Sequence, residues 1–279
     1  MKQKESIVIK SNYTGLRHGP INSFIRQDNL LQLNPFVMWD HFQLNSTQTE
    51  AGFDFHGHSG IAAVTYVIDA DLTHEDSKGN VVKLPRGSVQ LLVAGAGALH
   101  KETLTSEDGN FEAFQLWTAL PKNIEMSEAS YQGVSVEDLP VIKQQNTSTK
   151  ILVGEYADIK SPIKHVIDMN YFHITMAATK AHWRYSASQD QNSRFIYVLQ
   201  GNISIFGEPL TTQQLVLIDN DNVSELEITA DSDDSQFLFI SATSLAQSIL
   251  PTGPSVHSSY ENSKIGHQNI QQLFHKMMK

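Results

Sequence analysis

Two histidines one residue apart, His56 and His58 in "HGHSGIAAVTYV", stand at the front of a run that otherwise reads as a buried strand. Residues two apart on a strand point to the same face, so both imidazoles can be presented in one direction. Further on, "AGAGALHKET" places His100 and Glu102 at the same spacing. If the two pairs lie on neighbouring strands and face inward, they deliver three nitrogens and one carboxylate oxygen to one point. That set suits a first-row divalent metal and leaves positions open for water, substrate or O2. In a chain with 12 histidines a lone HxH is weak evidence, and polar residues at a strand mouth are the competing explanation. The second pair shifts the balance, because the "DSKGN" hairpin and the "PRGSVQ" turn supply the connection that returns a later strand beside an earlier one.

The chain around these residues is 279 residues long, carries a formal net charge of -10 and has no cysteine. Disulfides, thiolate zinc sites and cysteine nucleophiles are therefore excluded, and any metal must take nitrogen and oxygen ligands. The acidic balance and the lack of a lysine or arginine cluster argue against direct nucleic-acid binding. The opening segment "MKQKESIVIKSNYTG" has too short an apolar stretch for a signal peptide, and no run approaches membrane-spanning length. A soluble cytoplasmic protein is expected.

The elements that must position the site are strands. Short Val, Ile, Leu, Phe and Tyr segments such as "AAVTYVIDADL", "SVQLLVAG", "FIYVLQGNISIF" and "FLFISA" alternate with Gly, Asn, Asp and Pro, which is an all-β pattern. "HEDSKGN" and "GNISIFGEPL" read as hairpin connections. One helix is expected in "ENSKIGHQNIQQLFHKMMK", with Ile270, Leu273, Phe274, Met277 and Met278 on one stripe and Asn262 or Ser263 as its cap. The chain also repeats itself: "YVIDADLTH" from Tyr66 aligns with "YVLQGNISI" from Tyr197, and "LPRGSVQLLV" from Leu84 with "LTTQQLVLID" from Leu210. Two similar β domains follow, residues 1–140 and 150–279, separated by the polar stretch "VIKQQNTSTK". Carried across the repeat, the two ligand pairs land on Ala187 and Gln189 and on Leu226 and Ile228. The second domain, which ends in the helix, is expected to lack a metal; His182 beside Trp183 reads as structural.

"NPFVMWDHF", "FHGHSG", "VTYV", "HEDSKGN", "GSVQLLVAGAGALHKE" and "FQLWTALP" resemble, in order, the motifs of the pirin family, a branch of the cupin superfamily. The second half resembles the pirin C-terminal domain more loosely, through "YVLQG" and "GPSV". The resemblance implies two tandem cupin (jelly-roll) barrels with a short C-terminal helix and one metal held by His56, His58, His100 and Glu102. It implies iron first, with copper, manganese, nickel, cobalt or zinc accepted. Where relatives commonly read "RGFETVTY" this chain has "SGIAAVTY", placing Ser59, Ile61 and Ala62 where they carry an arginine, an aromatic and a carboxylate. Lys101 stands where a small residue is usual.

The activity implied is a quercetin (flavonol) 2,3-dioxygenase, an oxidoreductase in which a flavonol-like aromatic substrate and O2 meet at the metal and Glu102 takes the hydroxyl proton. The alternatives are a metal-binding, iron redox-sensing regulator acting through a protein partner, and a different cupin reaction such as an isomerisation. Trp39, Asp40 and His41 match the "DHF" stretch near a pocket mouth but read more readily as packing and turn residues. Gln115 and Trp117 share a strand face and likewise read first as packing. "ADSDDSQ" lacks the EF-hand order, "GAGALH" is a tight turn and not a phosphate cradle, and no GxSxG elbow appears.

Overall fold

The computed structural model describes residues 9–26, 30–186, 188, 190–218 and 225–278. It is all-β with one helix, and its strands pair antiparallel throughout the two large sheets of each unit. The described residues form two compact units, one from residues 16–138 with 245–278 and the other from residues 139–244 with 9–15. Among the described residues no helix is long and apolar enough to cross a membrane.

In the first unit a seven-stranded sheet runs in the order Ser130–Val134, Val89–Val93, Ile61–Asp69, Asn110–Ala119, Phe36–Asn45, Ile21–Ile25, Leu16–His18. Its four-stranded companion runs Glu50–His58, Ala98–Thr105, Asp71–Asp76, Val81–Leu84. The second unit repeats the plan. Its larger sheet is Ile9–Tyr13, Leu215–Ile218, Ser193–Gln200, Ser235–Ala242, Met169–Met176, Thr147–Val153, Val141–Gln144, and its smaller sheet is His182–Ser186, Glu225–Ala230, Asn202–Ile205, Glu208–Thr211. Tyr66 and Tyr197 fall on the matching strands Ile61–Asp69 and Ser193–Gln200, both buried throughout their central residues. These are two jelly-roll barrels of the cupin type. At the "IFGE" turn, Phe206 and Gly207 both have positive φ (51° and 89°), the geometry that two-residue hairpin loops require.

Three details differ from the sequence-based expectation. Residues 141–150 are not a linker: Val141–Gln144 pairs with Thr147–Val153 as the edge of a sheet, and an edge strand with mostly exposed side chains carries the polar composition of a loop. The helix spans Tyr260–Met277 with Ser259 as its cap, accepting from the Asn262 N–H at 3.2 Å. It belongs to the first unit, where it packs against the strands Glu50–His58, Ala98–Thr105 and Ser255–His257. Its buried face is Ser263, Gly266 and Ile270, while Met277 and Met278 are exposed. Small residues allow that close approach, and a search for large apolar residues at helical spacing passes over them.

Candidate metal centre

The smaller sheet of the first unit carries the site. Antiparallel pairing sets His100 opposite His56 and Ala98 opposite His58, with a register shift between His100 and Glu102. On its other side the same strand sets Glu102 opposite His74 and His100 opposite Asp76. Ring centroids of His56 and His100 are 4.3 Å apart, His56 and His58 4.8 Å, His58 and His100 5.0 Å. Candidate ligand atoms of these three histidines lie within 4.8 Å of one another. Glu102 does not complete that set; it groups with His74 and His100 within the same limit. His100 belongs to both groups, its Nδ1 standing 3.8 Å from Glu102 Oε1.

Hydrogen bonds decide which imidazole nitrogens are free. His56 Nδ1 is 2.7 Å from the Asp54 carbonyl and His58 Nδ1 2.8 Å from the Pro254 carbonyl. A carbonyl only accepts, so each Nδ1 bears the proton and each Nε2 keeps its lone pair, the tautomer that ligates metal through Nε2. Both nitrogens of His100 are buried without a partner. Burial, then the neighbouring imidazoles, push the His100 pKa down; burial pushes His58 down to about 4 against the Pro254 bond. Buried, neutral His58 and His100 with unused lone pairs, beside the uncommitted Nε2 of half-buried His56, are what a divalent metal requires, and an unpartnered buried polar atom is otherwise a cost of about 1–3 kcal/mol. The donor set fits a metal.

Glu102 is buried beside His100. Its Oε1 accepts from Thr65 Oγ1 at 3.1 Å and from Gln90 Nε2, and its Oε2 from Gln115 Nε2 at 3.2 Å. Burial raises its pKa to about 7 in spite of the bonds from Thr65, Gln115 and Gln90. Gln115 is tied in turn to Trp117 Nε1 (3.1 Å), and the Trp117 indole meets the His58 ring edge-on at 4.7 Å. Gln115 and Trp117 therefore belong to the site and are not only packing. Glu102, Asp40, Thr65 and Gln115 also line a cavity of about 50 Å³ walled by Phe42, Phe53 and Phe114. That space is large enough for water.

Family models for pirin and for the pirin C-terminal cupin domain match residues 19–118 and 171–266. The chain belongs to the pirin family of the cupin superfamily. Pirin-1 of Arabidopsis thaliana is 27% identical over 249 residues, covering 84% of each chain. A crystal structure of quercetin 2,3-dioxygenase from Acinetobacter baumannii superimposes with a TM-score of 0.85 at 24% identity, covering 95% of this chain and 97% of the other. A bacterial pirin of Escherichia coli in complex with nickel(II) gives 0.65 at 20% identity, covering 84% and 96%.

Four residues of this pirin's site were not singled out from the sequence. His74 is fully buried, stacked on Tyr131 with centroids 4.0 Å apart. Its Nε2 lies 3.4 Å from Asp76 Oδ2 and its Nδ1 has no partner. Thr65, Gln90 and Tyr131 complete the network, Tyr131 donating to Gln90 Oε1 at 3.0 Å. The signal was a polar residue at an inward position of an apolar strand, Thr65 in "VTYV" and Gln90 in "SVQLLV". By contrast, Lys101 turns away to Glu75 (3.5 Å). Trp39 and His41 stack on Phe114, and His41 bonds Glu112 at 2.8 Å. In the second barrel Leu226 and Ile228 face Tyr185 and Trp183 across the sheet, while Ala187 and Gln189 lie outside the described residues. His182 is half exposed and pairs with Glu227 at 3.1 Å.

Proposed function

We propose that His56, His58 and His100 hold one divalent transition metal, iron first among the candidates, with Glu102 as fourth ligand or general base, and that the centre is a flavonol 2,3-dioxygenase. The observation that carries the reading is the set of uncommitted imidazole lone pairs, buried at His58 and His100 and half-buried at His56: Nδ1 of His56 and His58 is committed to backbone carbonyls and His100 has both nitrogens free. The quercetin 2,3-dioxygenase of similar fold and the nickel-bound pirin support the same direction. When bound, the metal supplies a Lewis acid for vicinal oxygens of the substrate and lowers the pKa of its hydroxyl.

The chain's own residues do the rest. The Asp54 and Pro254 carbonyls hold the imidazole planes. Trp117, beside His58, offers an aromatic edge to a flat substrate entering from the half-buried His56 side. Glu102, with a pKa near the working pH, is suited to accept the substrate hydroxyl proton. Gln90, Gln115 and Thr65 steady the resulting acid and keep it aimed. In the balanced reaction both atoms of O2 enter the ring-opened ester, and the carbon between the cleaved bonds leaves as carbon monoxide.

The test is metal analysis of the purified protein, followed by O2 uptake and carbon monoxide release with a flavonol panel, beside His56→Ala and Glu102→Gln. Stoichiometric carbon monoxide from the wild type, lost in Glu102→Gln while metal is retained, supports the reading. A metal-loaded wild type inert to every flavonol contradicts it.

A further inference from the structure

The stretch "SGIAAV" after the histidine pair departs from the family pattern, and the structure places its first residue against the C-terminal tail. Ser59 is fully buried, as are Ser255 and His257. The Ser59 backbone N–H donates to Ser255 Oγ at 3.1 Å, and Ser59 Oγ lies 3.0 Å from Ser255 Oγ and 2.9 Å from His257 Nε2. Val256 N–H closes the contact by donating to the Ser59 carbonyl at 3.1 Å. His257 Nδ1 is buried without a partner. Ser59 has one hydroxyl proton and gives it to Ser255 Oγ, and orphaned buried N–H groups are rarer than under-satisfied acceptors, so the proton sits on Nε2 and the bonds run one way: His257 Nε2–H to Ser59 Oγ, Ser59 O–H to Ser255 Oγ.

This chain of bonds belongs to a hairpin, Leu250–Thr252 with Ser255–His257, whose turn carries the Pro254 carbonyl that fixes the His58 tautomer. The hairpin is locked from both sides. Gly60, at φ 70°, lies so close to Val256 O and the His257 ring that a methyl there would collide, and a methyl at Gly266 of the helix would strike Ser59 Oγ and the same ring. Buried Glu125 holds the start of the helix, accepting from Ser258 N at 2.8 Å, Ser258 Oγ at 2.7 Å and Asn262 Nδ2.

We infer that the C-terminal hairpin is the positioning element of His58: Ser255 and His257 grip Ser59, and that grip holds the Pro254 carbonyl on His58 Nδ1. The inference rests on the reading of His58 as a ligand only for its consequence, a metal affinity that depends on the last 30 or so residues. Outer partners of ligating histidines typically change affinity about 10–100-fold.

Two readouts test it. In metal-free wild type, imidazole 15N–1H NMR shows His58 as a single Nδ1–H tautomer; an Nε2–H or exchanging His58 overturns the inference outright. In Ser255→Ala and His257→Leu the single tautomer is lost and nickel(II) affinity, measured by chelator competition, falls about 10–100-fold, while His257→Gln, which keeps an N–H at the Nε2 position, restores both. Folded variants with a lower melting temperature but an unchanged His58 signal and unchanged affinity show a merely structural role and overturn it. Wild type that binds no nickel(II) contradicts the metal assignment under the proposed function, and the NMR comparison then decides the hairpin's role alone.

Discussion

The two barrels share strand order and fill the space over their smaller sheets in opposite ways. In the first, three neighbouring strands of the smaller sheet bring His56, His58, His100, His74 and Glu102 together. In the second, the corresponding strands carry Trp183, Tyr185, Leu226, Ile228, Ala230, Ile203 and Ile205, all in one apolar cluster. Trp183 stacks between Tyr156 and Tyr185, each with centroids 5.8 Å away, and its Nε1 donates to Thr149 at 2.9 Å. The larger sheets supply ordinary cores in both units. The difference lies in the smaller sheet: one barrel packs it for stability, and the other keeps buried imidazole nitrogens unpartnered at a cost that a metal would reverse.

The largest effect expected from breaking this contrast is at His100, which both ligand groups share. His100→Ala is predicted to abolish metal retention through dialysis against chelator, with the far-UV spectrum and the second barrel unaltered. Retention of a full equivalent by that variant would remove the histidine cluster from consideration. Next is the mirror experiment: Trp183→Ala should cost about 3–5 kcal/mol in denaturant unfolding, leaving metal content per folded molecule unchanged. Loss of metal in that variant would mean the two interiors are not independent.

A smaller effect follows from the raised carboxyl of Glu102. Its pKa rises from an ordinary 4.5 to about 7 on folding, so the folded state holds the proton more tightly than the unfolded chain. That contribution is fully present below about pH 4.5 and is lost as pH rises through 7, a swing of about 3 kcal/mol at 1.36 kcal/mol per unit. The lowered pKa values of His58 and His100 contribute a slope of the opposite sign, common to both proteins, so the prediction is for the difference. Metal-free wild type should lose stability relative to Glu102→Gln between pH 4.5 and 8, and parallel curves for the two proteins would refute the burial argument. Smallest of all, His182→Ala in the second barrel should change stability by less than about 0.5 kcal/mol and leave metal binding untouched. Any loss of metal there would point to a second site.

The periodic segments made the β architecture and its repeat readable, because inward apolar residues alternate with turn signals. The paired spacings His56/His58 and His100/Glu102 made the histidine cluster readable for the same reason, a strand's period of two being visible in sequence, although Glu102 groups with His74 and His100 and not with the first pair. What was not readable depends on register and return. His74 looked like part of a hairpin because its burial beside Glu102 follows from cross-strand pairing. Pro254, Ser255 and His257 lie nearly 200 positions from the His58 and Ser59 they bond, and no local pattern connects them. The helix was misassigned to the second domain because its binding face is serine, glycine and one isoleucine.

The most direct measurement of the central claim is a metal titration of chelator-treated wild type beside His56→Ala, His58→Ala and His100→Ala, read as equivalents of iron(II) or nickel(II) bound per chain. One equivalent for the wild type and a loss in each variant is the predicted result. A wild type that binds none, or histidine variants that each keep one equivalent, would contradict it.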